Sequence, residues 1–284
     1  MNKEINDENL ENQDIEISLF LEAVYLKYGY DFRNYSRAHI KRRILKRIEE
    51  DNLSSVSQMQ HKILYDKEFI KTLLCDFSIN VTEMFRDPSF YKTFREKVVP
   101  ILKTYPFIKI WHAGCSTGEE AYSMAILLKE EGLLDRTQIY ATDINGLVLQ
   151  QAKEGIYSIE NIREYTHNYQ QSGGAFSFAD YYTAKYDSVI FNKSLKKKIT
   201  FAEHNLVTDG VFGEMQVIVC RNVLIYFDRK LQNHVIKLFS YSLGNGCFLC
   251  LGSKESIKFS DGAEDFQTFV ESEQIYRKKY LKIN

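Results

Sequence analysis

Two adjacent acids follow a glycine-containing loop in the middle of the chain. Glu119 and Glu120 come directly after Gly118 and open a helical run, while Gly114 stands near the start of the loop. Glycines let a ligand approach the backbone, and a helix start offers unpaired N–H groups. The loop lacks the pattern G-x-G-x-x-G, and two acids at the helix start would repel a pyrophosphate. It therefore favours a ligand with hydroxyls and a positive charge, such as S-adenosylmethionine, over a dinucleotide.

A further acid closes the next apolar segment. Asp143 follows the strand-like run 138–142 and lies some 25 residues beyond Gly118. An acid near this spacing binds ribose hydroxyls at the end of the second strand of a Rossmann-like sheet. The alternative is that Asp143 caps the helix that follows at Asn145, and both roles can hold together. We favour the ribose interpretation because the glycine loop lies upstream.

Strands and helices alternate around these acids. Apolar runs predict a strand from Ile108, a helix after Gly118 and a helix over 228–243, with later strands over 138–143, 199–201, 217–220, 247–251 and 275–280. The alternation predicts a parallel sheet covered on both faces. Asp87 and Pro88 predict a helix start with Asp87 as its N-cap, and the preceding segment 80–86 reads as the loop at which a new domain begins.

The N-terminal part has a different pattern. Residues 1–16 are acidic and almost without apolar periodicity, which predicts a disordered tail, whereas the residues from Ile17 to about Leu74 have helical periodicity. One predicted helix carries apolar and basic residues on opposite sides: Ile40, Ile44, Leu45 and Ile48 against Arg42, Arg43, Lys46 and Arg47. The basic side is either an ordinary solvated face or a docking face for an acidic partner.

One segment does not fit the alternation. Residues 155–198 are rich in tyrosine and phenylalanine and contain Gly173 and Gly174. A structureless loop of this length is improbable in a compact domain, so we predict a small inserted subdomain or a partner-binding flap. Its aromatic residues form either a miniature core or an exposed protein-binding surface.

Composition excludes several classes of protein. The chain has 284 residues, 44% of them hydrophobic, and a formal net charge of −1, so there is no general attraction to nucleic acid or anionic membranes. There is no apolar run long enough to span a bilayer and no secretory signal, which predicts a cytoplasmic protein. The five cysteines mostly lie in apolar segments and predict buried thiols. Cys247 and Cys250 fall in a strand-like run, so we predict neither a metal site nor a redox pair.

Five short motifs then occur in one order. They are Asn80-x-Thr82-x-x-x-Arg86-Asp87, Ala113-Gly-Cys-Ser-Thr-Gly-Glu-Glu120-x-Tyr-Ser123, Ala141-Thr-Asp-Ile144, His204-Asn-Leu206 and Cys220-Arg-Asn-Val-Leu-Ile-Tyr-Phe227. With these motifs the chain resembles the CheR-type chemotaxis-receptor glutamate O-methyltransferases, from the basic helix to the C-terminus. The resemblance implies a Rossmann-like class I methyltransferase sheet over 80–284, an all-helical N-terminal domain over 17–79 and a small inserted β-subdomain at about 155–198.

The resemblance also implies site residues. Position by position, the cofactor-binding residues are Asn80, Thr82, Arg86, Glu120, Asp143, Asn205, Leu206, Arg221 and Asn222, and the residues beside the transferred methyl group are Arg86 and Tyr226. The cofactor is S-adenosylmethionine and its product S-adenosylhomocysteine. The implied partner is a methyl-accepting chemotaxis receptor or a similar acidic helical signalling protein, docked by Arg42, Arg43, Lys46 and Arg47.

The implied chemistry suits a carboxylate nucleophile. A glutamate side chain has an unperturbed pKa of about 4.3, so it is ionised at neutral pH and needs no general base. We expect Arg86 to orient it through charge-assisted hydrogen bonds, with Tyr226 as a second donor or a packing wall. The alternative function is a related cofactor-binding regulatory or scaffold module that acts on, or merely binds, a different protein partner. A nucleic-acid amino-methyltransferase is excluded because the three prolines, at 88, 100 and 106, form no Pro-Pro-aromatic loop.

Overall fold

The structure is a computed structural model that describes residues 2–78 and 82–280, with side chains from residue 11 onward. The chain forms two compact units. The smaller unit comprises Met1–Ile79 and Ile225–Gln232, and the larger comprises Asn80–Leu224 and Asn233–Asn284. In the described part of the chain, we find no helix with the length and apolar character needed to cross a membrane.

Four helices build the smaller unit: α1 (Asn2–Tyr28), α2 (Arg37–Glu50), α3 (Val56–Tyr65) and α4 (Phe69–Phe77). Helix α1 continues from Asn2, so the prediction of a disordered tail is wrong for the described residues of 1–16. The cause is the cooperativity of helices. Ile17, Phe20 and Val24 are buried and fix the helix, and extending it into polar residues costs much less than starting a new one.

Helix α2 buries a narrower apolar stripe than its periodicity predicts. Ile40 and Ile44 are fully buried, but Leu45 remains 37% exposed. On the basic side, the Arg47 guanidinium donates to Asp76 over 2.6 and 2.7 Å, so it anchors α2 to α4. Arg47 is therefore not an unpaired member of the basic face, which corrects the prediction for that residue.

A short segment from the C-terminal half completes the smaller unit. Tyr35 and Phe227 form an antiparallel bridge, and their rings lie 4.9 Å apart. The Ser36 N–H donates to the Tyr226 carbonyl over 2.8 Å, and the Asp228 N–H donates to the Asn34 carbonyl over 2.9 Å. The segment 225–232 is thus held to the loop before α2 by backbone hydrogen bonds.

The larger unit is built on a seven-stranded sheet and a separate three-stranded sheet. Its strands are β1 (Ile108–Ala113), β2 (Thr137–Asp143), β3 (Ile156–Ser158), β4 (Tyr182–Lys185), β5 (Ser188–Phe191), β6 (Ile199–Glu203), β7 (Met215–Cys220), β8 (Leu243–Leu251), β9 (Phe266–Val270) and β10 (Ile275–Lys278). Its helices are α5 (Pro88–Thr93), α6 (Val99–Leu102), α7 (Glu119–Glu130), α8 (Gly146–Glu154), α9 (Ile162–Gln171) and α10 (Lys193–Lys196), and α11 (Arg229–Ser242) begins in the smaller unit and ends in the larger. A π-helical turn, Phe94–Val98, joins α5 to α6.

The large sheet has the order β6-β2-β1-β7-β8-β10-β9. The first five strands are parallel, as predicted, but β10 runs antiparallel to both β8 and β9. The prediction of a purely parallel sheet is therefore wrong at this edge, and β9 was not predicted. Strands β1, β7 and β8 are buried at nearly every position, so both faces of the central sheet are covered.

The segment 155–198 forms a small subdomain with the three-stranded sheet β3-β5-β4 and helix α9. Most of its aromatic side chains are buried together, and they continue the core of the larger unit: Tyr157, Tyr165, Tyr169, Phe178, Tyr181 and Phe191. Two aromatic residues of the segment are exposed: Tyr186 at 87% and Phe176 at 63%. The aromatic residues therefore serve mainly as a miniature core.

The cysteines lie largely as expected. Cys115, Cys220, Cys247 and Cys250 are buried, and Cys75 is exposed. None of the cysteines takes part in a disulfide within the described residues. No cluster of metal-binding side chains was found in the same part of the chain.

Candidate active site

The glycine loop between β1 and α7 is closed onto the end of β2. The N–H groups of Gly114 and Cys115 both donate to the Thr142 carbonyl, over 2.8 and 2.9 Å. Gly114 has φ +78°, and a Cβ there would lie 2.5 Å from a methyl group of Val223. The loop therefore needs glycine both for its backbone angle and for contact with the segment after β7.

Asp143 joins this loop to the next helix. One carboxylate oxygen accepts from the Ser116 N–H over 2.9 Å, and the other accepts from the Asn145 N–H over 3.0 Å. Burial raises the pKa of Asp143, and these backbone donors partly offset that rise. The cap of α8 is the Asn145 side chain, which accepts from the Leu147 N–H over 3.0 Å. The Ile144 N–H also contributes a backbone hydrogen bond to this carboxylate. A carboxylate has about four lone-pair sites, so acceptor capacity remains for a ribose diol.

Four charged or polar side chains form a network beside the loop, in which Arg221 is buried and Asp87 stays 40% exposed. Glu120 accepts from His112 Nδ1 over 2.9 Å and from Arg221 over 3.0 Å, using one oxygen for each. Arg221 also donates to Asp87 over 2.6 Å, and its side chain is only 2% exposed. Burial opposes ionisation of Glu120, but the hydrogen bond from His112 and the charge of Arg221 outweigh it and lower the Glu120 pKa. The network joins β1, α7, the end of β7 and the loop before α5.

Asp87 differs from its prediction. It has a left-handed backbone with φ +56° and makes no side-chain cap to α5, because its carboxylate pairs with Arg221. Arg221 also donates to the Arg86 carbonyl over 3.2 Å and lies 4.3 Å above the Phe90 ring. The backbone of the Arg86-Asp87 segment is thus fixed by the same guanidinium that binds Glu120.

Glu119 faces a different environment from its neighbour. The Thr117 hydroxyl donates to it over 2.6 Å, and the residue is 5% exposed. Burial raises the pKa of Glu119 to about 7. The two adjacent acids therefore have opposite pKa shifts, since only Glu120 has cationic partners.

The raised pKa of Glu119 predicts a pH-dependent stability. The folded protein keeps this proton up to about pH 7, whereas the unfolded chain loses it near the ordinary value of 4.5. The stabilisation is complete below pH 4.5 and is lost as pH rises through 7. Glutamine does not ionise. As the pH rises from 5 to 8, the free energy of unfolding of Glu119→Gln should therefore increase relative to that of the unmutated protein by on the order of 2 kcal/mol. Urea unfolding of the two proteins at pH 5 and pH 8 measures this change in unfolding free energy.

A matched control is available for this measurement. Glu271 is 69% exposed and pairs with Lys258 at the surface. Glu271→Gln should leave the difference in unfolding free energy between the two pH values unchanged. If Glu119→Gln gives a pH profile parallel to that of the unmutated protein, the raised pKa is contradicted.

The segment after β6 forms a compact turn. The Asn205 side chain accepts from the Val207 N–H over 3.0 Å, and the Asn205 N–H donates to Asp209 over 2.9 Å. His204 Nε2 lies 3.1 Å from the Gly210 carbonyl, and Leu206 is buried. The Asn205 oxygen is thus engaged locally, while its amide NH₂ retains two donors for a ligand edge.

The remaining predicted residues divide between the two units. Thr82 and Arg86 are half-buried in the larger unit, where Asn222 follows β7 with φ +61°. Tyr226 belongs to the smaller unit, where its ring lies 4.8 Å from His39. Asn80 lies outside the described residues. The larger unit therefore assembles the loop acids, Arg221 and the Arg86 backbone, while Tyr226 is held by the helical unit.

Two functional candidates escaped the sequence analysis, and a third, Asp87, was predicted as a helix N-cap and not as a partner of Arg221. His112 and Glu255 contact predicted site residues, and Asp87 pairs with Arg221. His112 could have been found, because the end of a strand and the start of the following helix meet in a βα unit. Glu255 lies 33 residues beyond Asn222, and no local spacing links them.

The loop has the features that S-adenosylmethionine needs. Within the described residues, the buried Ser116 hydroxyl has no hydrogen-bond partner, and it lies beside Asp143 in the loop. A hydroxyl, a carboxylate with available lone pairs and glycine backbone can together bind a ribose-bearing ligand. The acids of the loop complement a cationic sulfonium.

Comparison with known proteins identifies the family. The sequence model described as "CheR methyltransferase, SAM binding domain" matches residues 80–274, and the one described as "CheR methyltransferase, all-alpha domain" matches residues 15–78. The chain is 54% identical to Cher3 of Pseudomonas putida over 94% of this chain and 98% of that protein. It is 30% identical to the chemotaxis protein methyltransferases of Listeria innocua, over 84% of this chain and 88% of that protein, and of Borreliella burgdorferi, over 88% and 90%. The chain belongs to the CheR family of S-adenosylmethionine-dependent methyltransferases.

Proposed function

We propose that this protein transfers a methyl group from S-adenosylmethionine to glutamate side chains of a chemoreceptor-type signalling protein, forming methyl esters. The observation that carries the proposal is the family match, which covers both the helical part and the cofactor-binding part of the chain. Relatives matched over most of their length are named chemotaxis protein methyltransferases. The network around Arg221 supports it, because it fixes the Arg86 segment beside the cofactor loop.

The reaction needs positioning more than proton transfer. S-adenosylmethionine, when bound, supplies a methyl group activated by its sulfonium. A substrate glutamate with a pKa of about 4.3 is already ionised at neutral pH. Arg86 orients this carboxylate by charge-assisted hydrogen bonds, and Tyr226 serves as a second donor or a packing wall. Arg221 supports Arg86 through the main chain, since it donates to the Arg86 carbonyl.

The cofactor residues proposed from the family motifs are those of the loop, the strand ends and the segment before α5. They are Asn80, Thr82, Arg86, Glu120, Asp143, Asn205, Leu206, Arg221 and Asn222. Asp143 suits the ribose hydroxyls, and the amides of Asn205 and Asn222 suit adenine or amino-acid edges. Glu120 already accepts from His112 and Arg221, so its contribution to the ligand comes through its remaining lone pairs and its charge.

The basic side of α2 is proposed to dock the substrate. Arg42 is exposed and Arg43 is half-buried. Lys46 is 62% exposed and lies 3.3 Å from Glu50, a surface pair of small energetic worth. These three side chains complement an acidic helical partner, whereas Arg47 holds Asp76. The docking face is therefore smaller than the four residues that the sequence suggested.

Charge reversal on this face should weaken substrate binding. The double variant Arg42→Glu, Lys46→Glu should raise KM for a purified cytoplasmic receptor fragment by about tenfold at low salt. The difference should shrink as salt rises, because exposed charges are screened. Steady-state methyl transfer at several salt concentrations measures it.

Lys71→Glu on α4 is the control for this pair, since Lys71 is also exposed and basic and pairs with a surface acid. It should leave KM unchanged. If the double variant loses affinity for S-adenosylhomocysteine instead of for the receptor fragment, the face has a structural role and the docking proposal is wrong.

A methyl-transfer assay separates this function from its alternative. Incubation with tritiated S-adenosylmethionine and receptor fragments should form base-labile methyl esters, which release tritiated methanol when base is added. A module that only binds the cofactor or a different partner would bind S-adenosylhomocysteine and release no methanol from any receptor fragment. That second result would replace the enzyme proposal with the binding-module alternative.

A further inference from the structure

We propose that Glu255 is a positioning residue that holds the turn after β7 in the shape required for cofactor binding. This inference rests on the proposed cofactor role of Arg221 and Asn222. Glu255 lies in the loop after β8, belongs to the larger unit and is 5% exposed. None of the five sequence motifs includes it.

The carboxylate of Glu255 accepts backbone hydrogen bonds on both of its oxygens. One oxygen accepts from the Gly252 N–H over 2.7 Å and from the Asn222 N–H over 3.0 Å, and the other accepts from the Val223 N–H over 2.9 Å. Two of these donors are consecutive residues of the turn after β7. A buried carboxylate with several backbone donors is well stabilised as an anion, so the carboxylate and the turn hold each other in place.

The turn has an uncommon backbone conformation that these hydrogen bonds fix. Asn222 has φ +61°, a left-handed conformation that non-glycine residues adopt at a cost. The contact with the β8 loop is also tight, since a Cβ on Gly252 would lie 2.8 Å from Glu255 Oε2 and 2.9 Å from the Asn222 nitrogen. Glu255 thus fixes an uncommon backbone conformation directly beside Arg221.

The turn after β7 also limits the position of the glycine loop. The Val223 side chain occupies the space where a Gly114 Cβ would stand, at 2.5 Å. Gly114 donates to the Thr142 carbonyl beside Asp143. A chain of direct contacts therefore runs from Glu255 through Val223 to the loop that binds the ribose. Glu255 thereby acts on the cofactor indirectly, through these groups.

The test compares two buried glutamates. In Glu255→Gln the amide keeps one acceptor oxygen for donors that now use two, so at least one backbone N–H faces an NH₂ group. The turn then populates other conformations, and affinity falls by the fraction of molecules that remain competent. Calorimetry should show about a tenfold weaker affinity for S-adenosylhomocysteine, and KM for S-adenosylmethionine should rise more than kcat falls.

Glu130→Gln is the matched control. Glu130 ends α7, its side chain is 2% exposed, and it binds Arg95, Tyr169 and Tyr181. It should lose thermal stability like Glu255→Gln and keep the unmutated affinity for S-adenosylhomocysteine. A folded Glu255→Gln protein with unmutated affinity would overturn the proposal, whatever its melting temperature.

If Glu255→Gln does not fold, a second pair of variants tests the same proposal. Gly252→Ala pushes a Cβ between Glu255 and Asn222, whereas Gly213→Ala meets only an ordinary contact at 3.5 Å from Met215. Gly252→Ala should weaken S-adenosylhomocysteine binding and Gly213→Ala should not; equal affinities for the two overturn the proposal. If the unmutated protein itself fails to bind S-adenosylhomocysteine, the proposed function falls, and this outcome is distinct from a variant without effect.

Discussion

Arg86→Ala should lower kcat for methyl transfer by about 10²–10³-fold, a loss typical of removing one preorganised donor at a reacting group. The arginine is the cationic fork proposed to orient the substrate carboxylate, and alanine leaves that oxygen free to sample unproductive directions. Arg86→Lys keeps the charge without the planar fork, so its kcat should lie between those of Arg86→Ala and the unmutated protein. The measurement is steady-state transfer of a tritiated methyl group to a receptor fragment, with S-adenosylhomocysteine affinity determined in parallel.

The parallel affinity measurement matters because Arg86 is also proposed to line the cofactor pocket. A loss confined to affinity would assign it to cofactor binding alone. Arg136→Ala is a suitable control, since Arg136 donates to the Lys103 carbonyl in an exposed position and no motif includes it. Turnover of Arg86→Ala at the unmutated rate would remove this arginine from the mechanism.

Arg221→Met should lower the free energy of unfolding by about 3–5 kcal/mol, the cost of leaving a buried partner charge uncompensated. Glu120 would retain only His112, and Asp87 would lose its 2.6 Å contact. The Arg86 carbonyl would also lose its donor, so activity should fall with stability. Urea unfolding of the two proteins at pH 7 provides the measurement.

Lys258→Ala is the control for Arg221→Met. Lys258 pairs with Glu271 over the same 2.6 Å, but both side chains are more than half exposed. Solvent screens such a pair, so its removal should leave the unfolding transition unchanged. If Arg221→Met is as stable as Lys258→Ala, the network does not stabilise the fold.

The central βα unit was predictable because its signals are local. The strand from Ile108, the glycines at 114 and 118 and the apolar face of α7 each follow from residues within a few positions of one another. The helical character of 17–74 and the later parallel strands followed from periodicity and apolar runs, and the family followed from the ordered short motifs. Asp143 could be placed at a strand end from its spacing to Gly118, whereas Arg221 followed from the family motif.

What escaped prediction depends on partners distant in sequence. Asp87 reads locally as an N-cap, but Arg221, 134 residues away, takes its carboxylate. Arg47 reads as part of a basic face, yet Asp76 binds it. The antiparallel pairing of β10 gives no periodicity signal that separates it from a parallel strand. These outcomes follow from tertiary ion pairs and strand order, which a window of neighbouring residues does not contain.

The division of the chain has a consequence for how this protein can be cut or recombined. Because the smaller unit takes its last part from residues 225–232, the main chain passes between the units three times. A fragment beginning at Asn80 would lack the Tyr35 ring against Phe227, which is 6% exposed in the intact chain, and the Ser36 donor to the Tyr226 carbonyl. Residues 1–79 alone therefore do not make up the complete smaller unit. Replacing this unit with that of another family member requires exchanging the segment 225–232 as well.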